Sequence, residues 1–196
     1  HLGISGKYKQ NKEGRLFFYN GDQRQQSLFG NTVIQPGTWN HVVFMRDGQK
    51  ILVYLNGNPT PEISGEAQPG YETGISEVII AGRNDNFSNF QGQLGAVALF
   101  NRVLTLQEVQ KHFQAGKLEK DQLAHAEYVT SILESDPLSC WPLRTDNPNL
   151  SQAVDITENK NNGVYEGRQV TDPKKLTPWQ RYCQALLCSN EMMFVD

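Results

Sequence analysis

Carboxylates, histidines and oxygen-rich loops are the groups in this chain that could do chemistry, and their spacing decides how much. Two carboxylates facing each other across a bond can divide glycoside hydrolysis between them, one as acid and one as nucleophile or base. Glu62 and Glu66 are the candidate pair, but Pro61 and Gly65 put them in a loop, where a solvated surface role is expected. The histidines, His1, His41, His112 and His125, show no i, i+4 pairing and no cysteine at zinc spacing. His41 lies inside a β-rich run, so a structural part is expected, with a ring nitrogen bonded to a neighbouring carbonyl. Neither a Gly-x-Ser-x-Gly elbow nor a phosphate-cradling P-loop occurs.

The loop Arg83-Asn84-Asp85-Asn86 is the leading candidate for binding. Asn84, Asp85 and Asn86 offer oxygens that suit Ca²⁺. That ion takes six to eight hard oxygen ligands, so carbonyls, water or other loops would have to complete the shell. An ordinary turn is the competing and favoured reading, because Asn and Asp favour turns on their own account. Arg83, Asn84, Asn86 and Phe87 are the candidate ligand contacts, together with Tyr54. Ile51, Val53 and Leu55 share one parity and should face a core, which leaves Tyr54 on the opposite sheet face. Trp39, by contrast, is expected in the core rather than as a ligand platform.

These residues are carried by elements that can be read from pattern. Thr38 to Gly57 reads as two strands joined at Asp47-Gly48 in a type I′ turn and closed by a turn at Asn56-Gly57. The flanking runs are β-branched, aromatic and aliphatic, which suits a half-buried pleated surface. Arg15–Tyr19 and Arg24–Phe29 flank another hairpin signal at Asn20-Gly21-Asp22, and strands are expected again at Val78–Ala81 and Leu94–Phe100. Pro59 to Gly74 reads as a loop.

The period then changes. Thr105-Leu106-Gln107-Glu108 has capping-box spacing, with Leu106, Val109 and Phe113 on one face of a helix that Gly116 can end. A second helix is expected over Glu119 to Leu133, its apolar side formed by Leu123, Ala126, Val129, Ile132 and Leu133, with Asp136-Pro137 stopping it. Strands at Ser139–Leu143 and Gly163–Gly167 follow, and a third helix is expected to start at Thr177-Pro178.

Bulk properties exclude some partners. The chain has 196 residues and a formal charge of −3, without the basic face that nucleic acid requires. No apolar run approaches the roughly 18 residues of a membrane span. Cys140, Cys183 and Cys188 are an odd set, all in the second half, so no disulfide framework is expected; burial suits them better.

Taken in order, Thr38-Trp39-Asn40-His41-Val42-Val43, the Asp47-Gly48 turn, Tyr54-Leu55-Asn56-Gly57, Ala81-Gly82, Gly92-x-Leu94-Gly95, Phe100-Asn101-Arg102 and the Leu-Thr-x-x-Glu helix start resemble the latter half of a laminin G-like domain. Such domains belong to the concanavalin A-like jelly rolls. The resemblance implies a mainly β chain: an antiparallel two-sheet jelly-roll sandwich, incomplete or permuted, with short helices in its C-terminal half. Relatives of the fold, pentraxins among them, bind Ca²⁺ through loops at a sandwich edge, which is what directs attention to residues 84–86. Glucanases of the superfamily carry a Glu-x-Asp-x-x-Glu strand that is absent here.

The family's opening signature is missing before Leu16. A similar one stands late, as Cys140-Trp141-Pro142-Leu143 and Asp155 through Gly167. Two readings follow: the chain holds the back of one module and the front of the next, or the late strands fold back on the first sandwich. The first is favoured, because the chain starts in mid-strand. It divides the chain into a sandwich over 1–116, a helical linker over 117–137, front-like strands over 138–170 and a helix and tail over 171–196. The tail, Ala185-Leu186-Leu187 with Asn190-Glu191 and Val195-Asp196, is similar to the closing segment of planctomycete-type multidomain proteins.

The expected function is therefore a non-catalytic recognition or packing module of an exported protein (periplasmic, cell-surface or extracellular), with a glycan or a neighbouring protein domain as partner. An accessory domain of an enzyme whose catalytic part lies elsewhere is the alternative. Open sheet edges would favour pairing between copies.

Overall fold

A computed structural model describes residues 1–6, 11–20, 27–68, 78–82, 90–117, 122–143, 151–165 and 185–188. At its centre lie β4 (Thr38–Asp47) and β5 (Lys50–Leu55), paired antiparallel from Val42↔Leu55 to Asp47↔Lys50. The loop between them is centred on Gly48 and Gln49, one residue later than expected. Only Gly48 has positive φ (56°), the pattern of a type II′ rather than a type I′ turn. At the far end of β5, Asn56 and Gly57 both take left-handed backbone, at φ 52° and 66°. β6 (Ile63–Glu66) joins the other side of β5, so the stretch expected as a loop contains a strand. Its Gly65 lets Leu28 approach so closely that a Cβ there would lie 2.7 Å away, a form of packing that glycine content alone does not reveal.

Strand alternation then sets two cores. Val42 and Phe44 of β4, with Ile51, Val53 and Leu55 of β5, point to one side. There they meet Leu16 and Phe18 from the sheet of β1 (Leu2–Ile4), β2 (Arg15–Tyr19) and β3 (Ser27–Val33), and the rings of Phe18 and Phe44 stack at 5.3 Å. Val43 and Met45, with Leu52 and Tyr54, point to the other side. That face is covered by the antiparallel pair β7 (Ala96–Leu99) and β8 (Ser139–Pro142), and by helices α1 (Leu106–Gly116) and α2 (Gln122–Leu133). The central sheet is thus buried on both faces, and each fully buried aliphatic side chain contributes about 1.5–3 kcal/mol. The chain is mainly β with antiparallel sheets and two helices in its C-terminal half among the described residues.

Several expectations are corrected here. β8 pairs with β7 in register from Ala96↔Pro142 to Leu99↔Ser139, and Cys140 joins the same core as Val43. Residues 139–142 therefore fold back on the first sandwich, because β7 offers an open edge and the second face of β4 needs cover. Residues 122–133 are a core layer rather than a linker, since Tyr128 and Ile132 are buried in that cluster. Leu106 and Leu133, expected on apolar helix faces, are 37% and 39% exposed, while His112 takes an inward position. Val78 and Ile79 are not in a strand, and Ala81 turns the chain with φ 64°. Ala185–Cys188 form strand β11, parallel to β4 from Thr38 to His41, where a C-terminal helix was expected; a short apolar run can satisfy an open edge instead. Short strands β9 (Gln152–Ala153) and β10 (Gly163–Val164) complete a hairpin.

Candidate functional site

The site grows from the Asn56-Gly57 turn. The Asn56 amide oxygen accepts the His41 backbone N–H at 2.8 Å, and its own N–H donates to the His41 carbonyl at 2.8 Å. Asn56 Nδ2 also donates to Asn40 Oδ1 at 3.0 Å, while Asn40 Nδ2 reaches the Thr38 hydroxyl at 3.0 Å. The start of β4 is pinned to the end of β5 by these bonds. Gly57 lies against Phe113, where any Cβ would sit 2.5 Å from the ring, so helix α1 seats directly on the turn.

α1 is held at its other end by the expected capping box. Glu108 N–H donates to the Thr105 hydroxyl, and the Glu108 carboxylate accepts from the Thr105 N–H at 2.7 Å. Arg102 grips the same carboxylate with both terminal nitrogens, at 2.5 and 3.1 Å, and donates to the Ser135 carbonyl at 2.6 Å. Those Arg102 bonds, opposed in part by burial, hold the Glu108 carboxyl down at about 2. The node fixes α1 relative to the end of α2, which explains the spacing of Arg102, Thr105 and Glu108 in the sequence.

Between the start of β4 and the two helices lies a cleft of about 90 Å³, lined by Trp39, His41, His112, Phe113, Lys117 and Tyr128 among others. His41 stands edge-on to His112 and Tyr128, with ring centroids at 6.4 and 6.1 Å, and tilted to Phe113 at 6.2 Å. His112 Nε2 is 2.9 Å from the Ser135 hydroxyl. Burial, with a smaller contribution from His112, pushes the His41 imidazole down to about 3. It is neutral at pH 7 and too weak a base for general-base work. Lys117 holds its ammonium 4.8 Å from the Phe113 ring centroid. Trp39 is 43% exposed, not in the core as expected. It shares the parity of His41 and Val43 but lies at the outer end of β4, and it also borders a second, smaller cleft with Gly37, Thr38 and Gln93.

The other candidates are placed as follows. Tyr54 does lie on the face opposite Ile51, Val53 and Leu55, where it is half-buried against the cluster of Val43 and Val109. Arg83, Asn84, Asp85, Asn86 and Phe87 lie outside the described residues. Their flanks approach each other, with the Phe90 N–H donating to the Ala81 carbonyl at 2.8 Å. No group of three or more His, Cys, Asp or Glu among the described residues could hold a metal ion. Glu66 belongs to β6, and the Glu62 carboxylate accepts the Thr32 N–H at 2.5 Å and the Thr32 hydroxyl at 2.9 Å. It works as a clasp between β3 and β6.

A second polar node explains the late signature. Asp155 is fully buried and accepts the N–H groups of Cys140, Thr157 and Asn161 at 2.9, 3.0 and 2.9 Å. Trp141 Nε1 donates to the Asn161 carbonyl at 2.8 Å, and Asn161 Nδ2 to the Ser139 hydroxyl at 2.8 Å. Burial raises the Asp155 carboxyl, but the three amides and the Thr157 hydroxyl together outweigh it, and the net displacement is downward. The carboxylate thereby staples residues 155–162 to β8.

Reasoning from sequence missed the Trp39 cleft. The i, i+4 spacing of Phe113 and Lys117 was the available signal, because such a pair lies on one helix face. No helix among the described residues is long and apolar enough to cross a membrane.

Compared with known proteins, the chain matches a laminin G family model, described as the concanavalin A-like lectin/glucanases superfamily, over residues 3–110, more than half its length. Neither the curated proteins nor the solved structures gave a match. The matched range contains the β4–β5 hairpin, the Asn56-Gly57 turn and the capping box of α1. The chain belongs to the concanavalin A-like lectin/glucanases superfamily, as a laminin G-like domain.

Proposed function

We propose that this domain is a non-catalytic recognition or packing module of an exported multidomain protein, binding a glycan or a neighbouring protein domain. The observation that carries the reading is Trp39, a large apolar ring left 43% exposed at the mouth of a ring-lined cleft. Exposed aromatic side chains of this kind serve binding through their flat apolar faces. Among the described residues, three carboxylates have structural partners: Glu62 clasps β3, Glu108 caps α1 and Asp155 staples the late loop. Export rests on the usual setting of laminin G-like domains.

A glycan array combined with calorimetry, with and without Ca²⁺, tests the proposal. Binding of at least one glycan class, or of a flanking domain of the parent protein, is expected. Silence towards both at millimolar ligand would leave only a spacer role, and hydrolysis of β-glucan by the isolated chain would overturn the non-catalytic assignment.

A further inference from the structure

We infer that the cleft between Trp39 and α1 binds an acidic saccharide, a pyranose carrying a carboxylate, stacked on the indole with its charge on Lys117. This deepens the recognition reading and rests on it. Trp39 borders two unlike surroundings. On one side is the ring-lined cleft of Phe113, His41 and Tyr128; on the other is the small cleft of Thr38 and Gln93, where the exposed Gln93 amide can exchange hydrogen bonds while the Thr38 hydroxyl already donates to the Gln35 carbonyl and accepts from Asn40.

A pyranose presents this pairing in reverse, with apolar C–H faces and a rim of hydroxyls. A peptide side chain of purely apolar character would leave the polar rim unused. The cleft's own volume of about 90 Å³ is small, so a sugar would lie across the mouth against the exposed indole instead of entering whole.

Charge selects among sugars. Lys117 is exposed at the end of α1 and finds no carboxylate among the described residues, whereas Lys111, six residues earlier, is paired with Glu134 at 2.6 Å. The Lys117 ammonium is held over the Phe113 ring, and Lys117 lines the same cleft as Trp39. A carboxylate there forms a charge-assisted bond without displacing an internal partner. His41 stays neutral and buried beneath, so it adds shape and no competing charge.

The test uses the full chain, with tetragalacturonate and its methyl ester as probes, read by calorimetry and tryptophan fluorescence. The acid is expected to bind more tightly than the ester and to perturb the indole signal. Trp39→Ala should weaken binding of both about tenfold or more. Lys117→Gln should remove the preference for the acid while leaving the ester unchanged. Melting curves check that each variant is folded; if Trp39→Ala is not, Trp39→Phe and Lys117→Gln decide the matter. Equal binding by wild type and folded variants would overturn this site and leave the broader recognition reading standing. Failure of both probes to bind, while other glycans on an array do, would overturn the acidic-saccharide assignment alone.

Discussion

Asp155→Asn tests the claim that one buried carboxylate attaches the late loop to the sandwich. The carboxylate accepts three backbone N–H groups, from Cys140, Thr157 and Asn161. Oδ1 takes the first two and Oδ2 the third, so an Asn side chain could keep the first pair but would aim its NH₂ at the Asn161 N–H. Hydrogen bonds to a charged acceptor contribute roughly 1.5–3 kcal/mol each, against about 1 for neutral ones. Losing one bond outright and weakening two, less the easier burial of a neutral amide, gives a net cost of about 3 kcal/mol. For a domain of this size that lowers the melting temperature by about 10 °C.

The pH dependence has a defined sign. The folded carboxyl lies below its ordinary value of 3.8, so the unfolded chain takes up this proton first as pH falls. The contribution is therefore complete above pH 3.8 and is lost as pH drops through the folded value. Thermal melts of both proteins from pH 7 to pH 3 should show a gap that narrows at the acid end. A melting temperature for Asp155→Asn within about 2 °C of wild type at pH 7, less than the cost of one such bond, would refute the reasoning.

Two further substitutions probe the frame of the cleft. Gly57→Ala combines a positive φ of 66° with a Cβ 2.5 Å from Phe113, so a loss of about 2–4 kcal/mol in urea unfolding is expected, partly relieved by Phe113→Leu in a double-mutant cycle. Burial, aided by Asp155, pushes the Cys140 thiol up to about 12, so in a Cys183→Ser, Cys188→Ser background a thiol reagent at pH 8 should label Cys140 only as fast as the domain opens. Immediate stoichiometric labelling would place that side chain outside the core.

Local pattern made much of the architecture legible. The alternation of Ile51, Val53 and Leu55 gives their common face because side chains on a strand repeat every two residues, whatever packs on them. The box at Thr105 and Glu108 is legible for the same reason: its bonds close within four residues. Asn56-Gly57 is likewise a local backbone preference, with both residues left-handed as the dipeptide favours.

Pairings between distant segments are not written in local pattern, and the tertiary structure alone decided them. β8 resembles the opening strand of another module, yet it lies on β7 because that edge and the bare face of β4 were available. β6 escaped notice because its Gly65 makes room for Leu28, a residue more than thirty positions away. Trp39 reads as core by size, but its exposure depends on where α1 ends relative to the start of β4. The Gly57–Phe113 contact and the Arg102 bond to Ser135 fix that distance. Periodicity told which way each side chain points along its own element; which surface it meets, and whether it is covered, was set by non-local packing that no single stretch of residues contains.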